Sequence, residues 1–132
     1  MTKEAEQISN FFGITAALLF ITGNAYYPAK LAAKNFRPWS PETALFFKRY
    51  LKVHIMLNLA ALMAVTVHGH YAEERNVLLS GCFVATVWLT IAGALMHYRV
   101  VPGMQRQLRL LHTQQVLFVV WIVLIVAGHA SL

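Results

Sequence analysis

The chain has 132 residues, 58% of them hydrophobic and only 12% charged, with a mean hydropathy of +0.56 and a net charge of +6. A water-soluble domain has no use for that much apolar surface, so composition alone points to the membrane. The single cysteine, Cys82, cannot form an internal disulfide or hold an iron–sulfur cluster, and no glycine-rich phosphate loop offers a nucleotide site.

Four apolar runs predict four membrane-spanning helices, at about 8–27, 48–71, 77–98 and 108–130. The first follows a leader, Thr2-Lys3-Glu4-Ala5-Glu6, that is not basic, so it reads as a retained helix and not as a cleaved signal peptide. Pro28 to Arg49 is expected to be the long loop of the chain. Within it, Ser40-Pro41-Glu42 has the form of a helix start, with Ser40 capping and Pro41 in the first turn. Trp39, Phe46, Phe47 and Tyr50 are candidate interface anchors. The third run contains Cys82, and the fourth has only apolar side chains and Trp121 from Val116 to Ala127. Backbone groups in lipid must be satisfied internally, so the expected fold is all-α: a single domain, 1–132, built as an integral-membrane up-and-down four-helix bundle.

The charges orient that bundle. Lys30, Lys34, Arg37, Lys48, Arg49 and Lys52 lie between or beside runs one and two, and Arg99, Arg106 and Arg109 lie between runs three and four. The opposite side carries Lys3, Arg75, Glu4, Glu6, Glu73 and Glu74. By the positive-inside rule, both termini are expected on the non-cytoplasmic face of a bacterial cytoplasmic membrane. Basic charge placed in this way serves topology and lipid contact, not nucleic acid.

Orientation gives each histidine a depth. His54, His97 and His112 fall toward the inner surface, and His68, His70 and His129 toward the outer. His54 and His68 are fourteen residues apart, about 40° short of four turns, and so project from nearly one face about 21 Å apart along the helix. In an up-and-down bundle helices two and four are diagonal, which sets His54 with His112 at one end and His68 with His129 at the other. Gly13 and Gly81 near the outer surface, and Gly23 and Gly93 nearer the inner, lie on the other diagonal, where small residues leave room for a flat cofactor.

Four membrane helices, histidines fourteen apart on helix two, histidines at both ends of helix four and glycines on helices one and three resemble the di-haem core of the cytochrome b family. The resemblance is one of architecture over nearly the whole chain. It implies two haem b groups with bis-histidine iron, the inner between His54 and His112 and the outer between His68 and His129, lined by Gly13, Gly23, Gly81 and Gly93. His70 is the alternative to His68. His97, on the face of Gly93, is an alternative ligand or a neighbour of a propionate or quinone, and Arg99, Arg106, Arg109 and Arg75 are candidates to pair with haem carboxylates. The chain departs from the pattern at His112 and His129. They are seventeen apart, about 100° short of five turns, so a bulge, a tilt or a different ligand is required.

The function so implied is electron transfer across the membrane within a larger respiratory or photosynthetic complex. Donor and acceptor would come from other subunits, a quinone or a soluble cytochrome, and no catalytic residue is evident. Two other readings stand beside it: a histidine-based transition-metal transporter, and a structural membrane subunit whose histidines bind nothing.

Overall fold

The computed structural model describes residues 2–36, 40–72, 76–113 and 115–132, and the described residues are helical throughout, with no strand. Trp39 and Arg75, named above as an anchor and a carboxylate partner, lie outside the described residues. Three helices are long and apolar enough to cross a membrane, and a fourth span is added if 102–112 and 116–130 are one bent element. The chain divides into two compact units, Met1–Tyr71 and Ala72–Leu132.

In the first unit, α1 (Lys3–Asn24) begins five residues before the apolar run. Thr2 caps it, its hydroxyl accepting from the Ala5 N–H at 3.2 Å, and Glu4 and Glu6 stand in the first turn, where the helix dipole favours acid. Hydropathy marks where hydrocarbon starts; the cap marks where the helix starts. Most of the expected long loop is also helical: α2 (Tyr26–Phe36) follows after one residue, and α3 runs from Pro41 to Tyr71. Pro28 falls in the first turn of α2, where its missing N–H costs nothing. Ser40 caps α3 as expected, accepting from the Thr43 N–H at 3.2 Å.

α1 and α3 form an antiparallel pair whose contact residues repeat every three or four positions. On α1 these are Ser9, Gly13, Ala16, Phe20 and Gly23, and on α3 Phe47, Tyr50, His54, Leu57, Ala61, Ala64 and His68. The 3–4 alternation is the heptad of a left-handed coiled coil, and small residues along it let the backbones approach. At the end near α2, Tyr26, Phe46, Phe47 and Tyr50 stack edge and face into an aromatic collar. The outward face is apolar and bare: Phe11, Ile14, Leu18 and Ile21 on α1, and Met56 and Met63 on α3, are all more than 60% exposed. An exposed apolar face of this size suits contact with lipid or with another protein, consistent with an integral membrane protein.

In the second unit, α4 (Val77–Tyr98) has the bounds expected from the sequence. Arg99 stops it by adopting the left-handed conformation, φ 52° and ψ 36°, while its own N–H and that of Val100 both return to the Leu95 carbonyl. A short 3₁₀ turn, Pro102–Met104, leads into α5 (Gln105–His112) and then α6 (Gln115–Ala130). The single helix expected at 108–130 is therefore broken, and the axes of 102–112 and 116–130 differ by 53°. α5 ends at Thr113, whose N–H still makes the helical bond to the Arg109 carbonyl at 2.9 Å while its hydroxyl bonds the same carbonyl at 2.7 Å, a back-bond of the kind that bends helices. α4 packs on α5 and α6 through buried Cys82, Thr86, Ala92 and Gly93, met by Leu108, Trp121 and Gly128. The Trp121 indole donates to the Thr86 hydroxyl at 2.7 Å, and that hydroxyl donates to the Cys82 carbonyl at 2.8 Å.

Candidate functional site

Four of the six histidines share one hydrogen-bond geometry. His68 Nδ1 lies 2.9 Å from the Ser9 carbonyl oxygen of α1, His54 Nδ1 2.8 Å from that of Gly23, His112 Nδ1 2.9 Å from that of Leu89 on α4, and His129 Nδ1 2.9 Å from that of Ile125 in its own helix. A carbonyl oxygen only accepts, so each Nδ1 carries the proton and donates it. In that tautomer the ring's lone pair resides on Nε2, which is the arrangement that orients an imidazole for metal ligation. Neither His70 nor His97 has a hydrogen bond among the described residues; each meets only the edge of its neighbour, Tyr71 or Tyr98. This hydrogen bond distinguishes His54, His68, His112 and His129 from His70 and His97.

Three of the four expected glycines are where helices approach, and what fills them is a side chain of the site itself. A Cβ on Gly13 would meet His68 Nδ1 at 2.9 Å, and one on Gly93 would meet His112 Cε1 at 2.6 Å. One on Gly23 would meet the Asn58 amide at 2.9 Å. Gly81 is exposed, with nothing within 4 Å of the corresponding point. Glycine here makes room for an imidazole to reach a backbone carbonyl: with any side chain at Gly13 or Gly93 the ring could not lie against the neighbouring helix.

Around His54 the geometry recruits residues that hydropathy reading passes over. Asn58, one turn along α3, donates to the His54 carbonyl at 2.8 Å and places its amide nitrogen 3.2 Å from His54 Nδ1. Asn24 donates to the Asn58 side-chain oxygen at 3.3 Å and to the Phe20 carbonyl at 2.9 Å, and Tyr26 lies 5.8 Å from the imidazole, ring to ring. Two amides in apolar helices are costly unless partnered, and that cost was the signal in the sequence. Ser9 does the same at the other end, buried, with its hydroxyl 3.1 Å from His68 Nδ1 and donating to the His68 carbonyl at 3.4 Å.

His97 is half-buried near the C-terminus of α4, and Arg99 closes that helix with its backbone. His129 is exposed in the last turn of α6. Among the described residues no three His, Cys, Asp or Glu side chains converge as a metal-binding group. No protein-family model, no curated protein and no solved structure matches the chain.

Proposed function

We propose that the chain is a b-type cytochrome subunit, an up-and-down bundle of four membrane spans that carries electrons across the bilayer within a larger redox complex. The observation that carries this reading is the shared tautomer: His54, His68, His112 and His129 each donate Nδ1–H to a helix carbonyl, while His70 and His97 do not. That donor set fits axial ligation of haem iron, in which the second ring nitrogen is fixed by a backbone acceptor. His54 and His112 would hold a haem b toward the basic end of the spans, and His68 and His129 a second toward the other. Haem b would supply a reversible one-electron couple in a low-dielectric shell. The protein's part is to lock each ring's tautomer and to seat the His68 and His112 rings in the notches at Gly13 and Gly93 and the His54 ring on the Gly23 carbonyl. Electrons would enter and leave through partner subunits, a quinone or a soluble cytochrome. The basic end, with Lys30, Lys48 and Arg49, would face the cytoplasm of a bacterial cell.

A second reading has one observation in its favour. Imidazoles lying in glycine notches also serve helix packing alone, as in a cofactor-free structural subunit. One experiment separates the two. The full chain, expressed with haem supply and purified in detergent, is reduced with dithionite and converted to its alkaline pyridine haemochrome. The haem reading expects a reduced α band and two haems per polypeptide; a colourless protein overturns it.

A further inference from the structure

His129 lies in the last turn of α6, one residue before the helix ends at Ala130, and a helix end frays unless something holds it. Asn76, at the start of the second unit, does hold it. Its side-chain oxygen accepts from the Leu79 N–H at 2.8 Å and so caps α4, which leaves its amide nitrogen facing the end of α6. That nitrogen has two protons and two acceptors: the Gly128 carbonyl at 2.8 Å and the Ser131 hydroxyl at 3.1 Å. The Ser131 hydroxyl in turn donates to the Gly128 carbonyl at 3.0 Å, closing a three-membered clasp. Reversing the amide would set its oxygen against the Gly128 carbonyl and break both the cap and the clasp.

The acceptor is specific to the site. The Gly128 carbonyl belongs to the same peptide unit as the His129 N–H, so Asn76 fixes the very plane from which the His129 side chain departs. Gly128 is buried, and a Cβ there would stand 2.5 Å from Leu79 Cδ2, so the notch sets the depth of that peptide against α4. His129 follows about 100° around the helix, with its ring tied back to Ile125.

We infer that Asn76 is the positioning residue for His129, holding the last turn of α6 to the first turn of α4 so that this imidazole is presented at a fixed depth and angle. The inference rests on the reading of His129 as an axial ligand, and its test separates the two. The informative variant is Asn76→Asp in the full chain in lipid nanodiscs. Aspartate caps α4 as well as asparagine does, but it has no proton to donate and sets a carboxylate against the Gly128 carbonyl. Hydrogen exchange of the Gly128–Ser131 amides is expected to quicken about tenfold, the loss of two ordinary hydrogen bonds, while exchange within the first turn of α4 is unchanged. In the same sample one of the two haems is lost or its midpoint potential and low-spin electron paramagnetic resonance signal move, the other staying as in the wild type. Unchanged exchange in the last turn overturns the clasp. Faster exchange with both haems unaltered in amount, potential and spectrum overturns the positioning role. A wild-type protein without haem overturns the functional reading and the role toward iron with it, and the exchange result is independent of that outcome.

Discussion

A β-carbon on Gly93 would stand 2.6 Å from Cε1 of His112, closer than any non-bonded pair of carbons can stay. Gly93→Ala must therefore move the His112 ring off the Leu89 carbonyl or push α5 away from α4. We expect a cost of about 1–3 kcal/mol in denaturant unfolding of the detergent-solubilised chain and, if the proposed haem reading holds, haem content reduced toward one per polypeptide. Gly81→Ala is the matched control. It meets nothing within 4 Å, so helix propensity alone applies, and it should be neutral or stabilising by up to about 1 kcal/mol.

Replacing His54 tests the other end of the hydrogen-bond pattern. On the proposed haem reading, His54→Ala should remove one of two haem equivalents, read by pyridine haemochrome, because the ring held by the Gly23 carbonyl is gone. His97→Ala should keep both, since that ring has only an edge contact with Tyr98. Loss of a full equivalent in His97→Ala would transfer the ligand from α3 or α5 to α4.

Thr86 links α4 to α6 by accepting from the Trp121 indole. Thr86→Val keeps the shape and leaves that buried N–H without its acceptor, an expected loss of about 1 kcal/mol, within the range measured for hydrogen bonds between membrane helices. Thr86→Ser should retain most of the stability. Unfolding of the two variants side by side, followed by tryptophan fluorescence, reads the difference.

Arg99 adopts φ 52°, a conformation that costs a residue with a β-carbon about 1 kcal/mol and glycine almost nothing. Arg99→Gly should therefore unfold no more readily than the wild type. If Arg99 also pairs with a haem carboxylate, the same variant should shift one midpoint potential without loss of haem. A shift places the guanidinium at the cofactor; an unchanged potential leaves Arg99 its role in ending α4.

His54 and His68 show how far the sequence reaches and where it stops. Their spacing of fourteen was legible as a shared face, but about 40° appeared to separate them on a straight helix. In the structure fourteen is two heptads: both residues belong to the seam that α3 turns toward α1, with Tyr50, Leu57, Ala61 and Ala64 between and beside them. What brings both to one seam is the pairing with α1, so no reading of α3 alone could supply it. Asn58 and Asn24 were missed because a hydropathy window averages a lone amide away, although its cost in lipid is what marks it.

The sequence by itself determined the apolar runs long enough to cross a bilayer and the helix start at Ser40 and Pro41, because these follow from apolar run length and local turn chemistry. Only the tertiary structure decided that helix four breaks at Thr113, that the glycines at 13 and 93 admit imidazoles, and that Asn76 closes over the last turn at Gly128. The glycine and Asn76 outcomes depend on which carbonyl a donor on another helix can reach. That is a matter of distance between backbones, which local sequence pattern does not encode.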